Sequence, residues 1–150
     1  MGLDVYLEDD FNPPILSSSA TNLSLLTEFY ETPNGGTDWR LAYTVDLRRT
    51  GANYFAGFGN IKSQRRTTNA PQFSFKQWHR IEILATNDRK LTLFQDGKVV
   101  EVGELKDEAE VATAGGHPGL YALSSRASQQ APFTSGTLYN DNWSIVVWPP

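Results

Sequence analysis

The sequence predicts an all-β domain of two antiparallel sheets packed as a sandwich, and three observations support that prediction. Apolar and polar residues alternate in short runs, as they do in half-buried strands. The runs recur about every ten residues, and each break contains Gly, Pro, Asn or Asp, the residues that supply turn geometry. One break, Asp96-Gly97, has the composition of a two-residue type I′ hairpin turn.

Ten strands follow from this alternation. They are predicted near residues 4–8, 23–30, 39–47, 53–59, 72–75, 79–86, 90–95, 98–103, 119–124 and 136–148. The end of the last strand, 144–148, is apolar nearly throughout and is predicted to be central and covered on both faces. Residues 104–113 are predicted as a short connecting helix or an acidic loop. The 150 residues contain no internal repeat and no linker, which favours a single domain spanning 1–150.

The Asp96-Gly97 turn also predicts a register for the hairpin around it. The predicted pairs are Gln95 with Lys98, Phe94 with Val99, Leu93 with Val100, and Leu91 with Val102. The buried face of the hairpin would then carry Leu91, Leu93, Val100 and Val102, and the outer face would carry Thr92 and Glu101.

Composition excludes several classes of protein. The chain has no cysteine, so disulfides and thiol chemistry are excluded, and two histidines are too few for a multi-histidine zinc site within one chain. No apolar run has the roughly 18 residues of a membrane span, so no membrane partner is predicted. The first residues lack the basic and apolar regions of a secretory signal, and a virus or phage particle or the cytoplasm is the expected location.

The net charge of −4 is unevenly distributed along the chain. Residues 1–39 hold seven acidic and no basic residues, whereas residues 40–90 hold ten basic and three acidic ones. This asymmetry fits an anionic ligand, a homo-oligomer whose subunits meet through opposite patches, or simply solvated strands and loops. Nucleic acid is not a predicted partner, because the arginines come only in short pairs in an acidic protein.

Three segments together are similar to the concanavalin A-like lectin/glucanase superfamily, which includes laminin-G-like jelly rolls. They are Trp78-His-Arg-Ile-Glu-Ile-Leu with Leu91-Thr-Leu-Phe-Gln-Asp-Gly, Gly116-His-Pro-Gly-Leu-Tyr-Ala-Leu123, and Gly136-Thr-Leu-Tyr-Asn-Asp-Asn-Trp-Ser-Ile-Val-Val. The resemblance covers about half of the chain, from Trp78 onward. It implies a jelly roll of two curved sheets, a core position for Trp78 and Trp143, and any ligand on the concave face.

Catalysis is not predicted. Glucanases of that superfamily use a Glu-x-Asp-x-x-Glu strand, which places two carboxylates on one face for retaining hydrolysis. The acidic clusters of this chain, at residues 8–10 and 107–110, have other spacings. His79 is predicted to be a partly exposed strand residue and His117 a loop residue, rather than general bases.

A structural Ca²⁺ is the one cofactor that the sequence suggests. Jelly-roll modules often join their terminal strands through a calcium ion bound by carboxylate and carbonyl oxygens. Candidate ligands are Asp9, Asp10, Asp141 and Asn142, if the terminal strands are neighbours. The alternative is that Asp141-Asn142 makes a turn or bulge before Trp143.

Sugar binding requires exposed aromatic faces beside planar polar side chains. The candidate rings are Trp39, Tyr30, Tyr54 and Tyr139, and Arg40, Arg65 and Arg66 would add a preference for anionic sugars. Each of these aromatic residues has packing in the core or at its rim as its alternative role.

Two functions therefore remain open at the level of sequence. The first is a non-catalytic, lectin-like β-sandwich module that recognises glycans as part of a larger assembly. The second is a structural subunit, such as a virion decoration or fibre-associated protein, whose partners are neighbouring subunits. An apolar Phe94–Val99 pair on the outer face of the hairpin would favour cover by another element or chain.

Overall fold

A computed structural model describes residues 1–8, 22–31, 40–50, 53–86, 88–106, 126–127 and 138–144. These parts of the chain contain ten strands and no helix. The strands are β1 (Gly2–Leu7), β2 (Asn22–Glu31), β3 (Arg40–Thr50), β4 (Asn53–Gly59), β5 (Ser63–Arg66), β6 (Trp78–Ala85), β7 (Lys90–Gln95), β8 (Lys98–Glu104), β9 (Arg126–Ala127) and β10 (Leu138–Ser144). The all-β prediction is confirmed for the described residues.

The strands form two antiparallel sheets. The larger sheet has six strands in the order β10-β1-β6-β7-β8-β5, and the smaller has four in the order β4-β3-β2-β9. Every pairing is antiparallel. The first and last strands, β1 and β10, are neighbours.

Most predicted strands are present, with two differences. Residues 72–75 are not a strand, while residues 63–66, which the sequence left in a loop, form the edge strand β5. Among the described strands, β10 lies at an edge of its sheet, whereas the predicted central position concerns residues 144–148, of which the structure describes Ser144 alone. The predicted strand near 119–124, the segment 107–113, His117 and residues 145–148 lie outside the described residues.

One hydrophobic core cluster contains residues of both sheets. The larger sheet contributes Leu3, Val5, Leu7, Ile81, Ile83, Leu91, Leu93 and Val100, and the smaller contributes Tyr43, Val45, Leu47, Ala56 and Phe58. In β1 the buried residues alternate with Asp4 and Tyr6, as the two-residue period of a strand requires. Residues of both sheets therefore share one core cluster.

The β7–β8 hairpin has the predicted turn. Asp96 and Gly97 both have positive φ, 52° and 73°, as a type I′ turn requires. Gln95 pairs with Lys98 and Phe94 with Val99, so this part of the predicted register is confirmed.

Beyond Val99 the predicted register is wrong, because β8 contains a bulge. Leu93 pairs with Glu101 and Leu91 with Gly103, so Val100 is an extra residue in the ladder. Val100 and Glu101 are both buried, and Val102 is 41% exposed rather than part of the core. Glu101 turns inward because polar partners for its carboxylate lie there, as described below. No local pattern in β8 marks those partners.

Candidate functional site

Three aromatic side chains form a row across the outer face of β10, β1 and β6. Because Val5 and Leu7 point into the core, Tyr6 lies on the opposite face of β1. Tyr6 is paired with Tyr139 on one side and Trp78 on the other. Its ring centroid lies 5.9 Å from that of Tyr139 and 5.4 Å from that of Trp78. We call Tyr139, Tyr6 and Trp78 the aromatic row.

The aromatic row is open to solvent at both ends. Trp78 and Tyr139 are each 49% exposed, and Tyr6 between them is half-buried. The rings are inclined to one another by 49° and 60°, so each presents its own face instead of joining a flat platform. Large exposed aromatics in a contiguous strip are typical of binding surfaces.

The core position expected for Trp78 is therefore wrong. In β6 the inward residues are His79, Ile81 and Ile83, and Trp78 shares the other face with Arg80. Alternation in β6 and β1 would have placed both Trp78 and Tyr6 outside, so the information was present in the sequence. What the sequence lacks is the adjacency of β10, β1 and β6, which brings the three rings together.

A set of polar side chains lies directly beside the aromatic row. Asp4 is paired with Arg80 in β6 and with Asp141 in β10. Arg80 donates to Asp4 Oδ1 at 3.2 Å, to the Asn142 carbonyl at 2.8 Å and to Ser144 Oγ at 2.8 Å. Asn142 Nδ2 donates to Asp4 Oδ2 at 2.6 Å. We call Asp4, Arg80, Asp141, Asn142 and Ser144 the polar row.

Arg80 links the strands β6, β1 and β10 through its side-chain contacts. It lies across Gly2, where a Cβ atom would overlap the guanidinium group. Its contacts with Asp4, Asn142 and Ser144 join β6 to β1 and β10. Hydrogen bonds to charged groups are among the stronger ones, so contacts within the protein hold the polar row in place.

The other predicted glycan-binding residues are not brought to the aromatic row. Tyr54 packs on Phe75, with ring centroids 4.9 Å apart, beside the core. Arg65 and Arg66 lie in β5 at the other edge of the larger sheet, and Arg66 covers the Phe55 ring. The backbones of Tyr30 and Arg40 belong to the smaller sheet, and their side chains, like Trp39, lie outside the description. Of the predicted set, Tyr139 alone is shown in the aromatic row.

The calcium prediction depends on the terminal strands being neighbours. The terminal strands are neighbours, as the predicted site requires, but Asp9 and Asp10 lie outside the described residues. Asp141 Oδ1 accepts the backbone N–H of Asn142 at 2.7 Å, and the Asn142 amide faces Asp4. No group of three or more His, Asp or Glu side chains suited to a metal occurs among the residues described. The calcium site stays a prediction.

A second polar cluster is buried between β8 and the smaller sheet. Glu101, 2% exposed, accepts the backbone N–H of Phe58 at 2.7 Å. Arg48 lies 3.9 Å from the Glu101 carboxylate and 4.0 Å from that of Asp46. Burial raises the pKa of Glu101, while the Phe58 N–H, Arg48 and Arg66 oppose that rise. Burial likewise lowers the pKa of Arg66.

Side chains of this cluster form hydrogen bonds with the backbone of the edge strand β4. The Gln64 amide, oriented by its hydrogen-bond network, donates to the Phe58 carbonyl at 2.6 Å and accepts from Arg48. Glu101 and Gln64 thus satisfy both backbone groups of Phe58 on an edge strand. Occupying these groups with side chains blocks pairing with another chain at this point. These contacts give the cluster a structural role.

His79 is buried, so its expected partial exposure is wrong. Its Nδ1 lies 2.7 Å from Asp96 Oδ2, and its Nε2 lies 3.1 Å from the backbone N and O of Ser74. Asp96 Oδ1 also accepts the Arg80 N–H at 2.9 Å. Since Nε2 faces backbone atoms, the pair ties the hairpin turn to the segment before β6 instead of offering a base to solvent.

Comparison with known proteins adds no family to this picture. No protein-family model, no curated protein and no solved structure matches the chain. In the described part, no helix is long and apolar enough to cross a bilayer. A functional conclusion has to come from the geometry of the surface.

Proposed function

We propose that this protein is a non-catalytic, lectin-like module that recognises glycans through the aromatic row. The observation that carries the proposal is the alignment of Tyr139, Tyr6 and Trp78 on three adjacent strands, with the outer two rings half exposed. A glycan-binding surface needs such rings in a fixed arrangement with polar groups beside them.

The chemistry of the surface suits a sugar. Aromatic rings pack against the C–H faces of sugar rings, while carboxylate, amide and hydroxyl groups bond to the sugar hydroxyls. Here the aromatic row supplies the first and the polar row the second, on neighbouring registers of the same strands. Because these side chains stand on paired strands, little ordering is needed on binding.

A jelly-roll sandwich is the architecture we propose for this module. Two features support it: the hydrophobic cluster includes residues of both sheets, and the first and last strands are neighbours. The expected superfamily places ligands on the concave face, whereas the aromatic row lies on the face of the larger sheet that points away from the core. The proposed site is therefore not the one that the resemblance implies.

A binding role is also favoured over catalysis by the two most buried titratable side chains of the described residues, Glu101 and His79. The Glu101 carboxylate is engaged by the Phe58 N–H, and His79 is held between Asp96 and the Ser74 backbone. Both groups are buried. A general acid or base must reach a substrate proton, and these groups face protein atoms.

The test is a glycan-array screen followed by calorimetry on the strongest ligand. Trp78→Ala and Tyr139→Ala should each weaken binding roughly tenfold or more, as truncation of an anchoring aromatic does. The matched control is Leu84→Ala, because Leu84 is a 44% exposed apolar residue on the same face of β6. Parental affinity in both aromatic variants, with the fold intact by circular dichroism, would refute the aromatic row as the site.

A structural subunit, such as a virion decoration or fibre-associated protein, is the second candidate. Its support is a separate apolar strip on the same outer face: Thr92 pairs with both Leu84 and Val102, and Phe94 pairs with Val99. Leu84 and Val102 are exposed. A subunit contact would cover this strip, so light scattering should show a stable oligomer that Leu84→Asp disrupts. An oligomer of that kind without any glycan ligand would favour this candidate.

A further inference from the structure

We infer that the aromatic row selects uncharged glycans and discriminates against uronates and sulfated sugars. The inference rests on the proposed glycan-binding function and names the ligand class of that same site. It follows from the charges that surround the rings.

Carboxylates dominate the surface beside the rings. Asp4 and Asp141 belong to the polar row, and Glu82 is the next outward residue of β6 after Arg80. Glu82 is 47% exposed. These three carboxylates outnumber the two cations near them, the Arg80 guanidinium and the Met1 ammonium, and leave this part of the surface negative.

The guanidinium of Arg80 is already committed to protein partners. It contacts Asp4, the Asn142 carbonyl and Ser144 by hydrogen bonds, and its Nε lies 3.9 Å from Glu82. An anionic sugar would have to compete with these partners for the cation. The carboxylates, in contrast, can accept hydrogen bonds from sugar hydroxyls without any rearrangement of charge.

The arginines that the sequence analysis assigned to anionic sugars lie too far from the aromatic row to offset the negative charge beside it. Arg65 lies in β5, three strands from β6 in the order of the larger sheet. At about 4.8 Å per strand, that separation is roughly 14 Å. Screening acts over about 8 Å at physiological ionic strength, so Arg65 does little to offset the carboxylates beside the rings.

The experiment compares each neutral oligosaccharide that binds with its C6-oxidised uronate, in which carboxylates replace the primary hydroxyl groups and the glycosidic linkages are kept. We expect at least tenfold tighter binding of the neutral form, and a smaller gap at high salt. The variant Glu82→Gln, at a residue outside the polar row, should narrow the affinity gap between the two forms and leave neutral binding near the parental value. The matched control is Glu104→Gln, since Glu104 is 46% exposed and lies in β8, away from the aromatic row.

The outcomes separate this inference from the proposed function. Equal or tighter binding of the uronate by the parent overturns the inference alone, because a glycan is still bound. An unchanged affinity gap in Glu82→Gln, or an equal narrowing in Glu104→Gln, overturns it as well. Binding of neither form overturns both the inference and the proposed function.

Discussion

The Glu101 carboxylate accepts a hydrogen bond of 2.7 Å from the backbone N–H of Phe58, and so joins the larger sheet to the edge strand of the smaller one. The bulge in β8 makes this contact, because it turns both Val100 and Glu101 toward the core. A charged residue in that position would be costly without partners, and Arg48 lies within 3.9 Å of it. The register of β8, the burial of a charged side chain and the contact between the two sheets therefore all depend on Glu101.

Replacing Glu101 by alanine should destabilise the fold by about 3 kcal/mol, because the Phe58 N–H and Arg48 would lose a buried partner. Glu101→Gln retains an oxygen acceptor and should cost less. Urea unfolding measures both, with exposed Glu104→Gln as a control expected within about 0.5 kcal/mol of the parent. Equal free energies of unfolding for parent and Glu101→Ala would show that the contact contributes nothing.

The raised pKa of Glu101 predicts how stability changes with pH. Burial raises this pKa above that of the unfolded chain, so the folded state holds the proton more tightly. The stability contributed by Glu101 is therefore complete below its unfolded pKa and is lost as the pH rises through its folded pKa. As the pH rises above the ordinary glutamate pKa, the parent should lose stability relative to Glu101→Gln. A relative gain as the pH rises would mean that Arg48 and Arg66 outweigh burial.

Gly97→Val should lower the free energy of unfolding by roughly 1–3 kcal/mol, because a β-branched residue resists positive φ. A side chain at Gly97 would meet no neighbouring atom, so the cost comes from the backbone. Gly97→Asn is the matched control and should cost less, since asparagine tolerates left-handed φ. Chemical denaturation of the parent and both variants measures these costs. Equal midpoints for Gly97→Val and Gly97→Asn would show that positive φ is not the cause of the loss.

Leu93→Asp should destabilise the domain by several kcal/mol, because Leu93 is fully buried and a carboxylate there has no partner. Thr92→Asp, one residue away on the outer face, should cost much less. Urea melts of both variants test which face of β7 is inside. Similar losses of stability from the two substitutions would contradict the assignment of Leu93 to the inner face of β7 and of Thr92 to its outer face.

The sequence by itself determined the all-β class, most strand positions and the Asp96-Gly97 turn. These features depend on neighbours in the chain, since alternation and turn residues act over a few positions. For the same reason Gln95–Lys98 and Phe94–Val99, which adjoin the turn, pair as predicted. The outward position of Tyr6 and Trp78 was also within reach of alternation, although the family resemblance had placed Trp78 in the core.

Only the tertiary structure decided the rest. Glu101 faces inward because Phe58 and Arg48, more than 40 residues away in the chain, supply its partners. His79 is enclosed because Asp96 and Ser74 meet it from two sides. The aromatic row exists because the last strand lies beside the first and the first beside β6. Such adjacencies arise from burial shared between distant strands, which local sequence patterns do not encode.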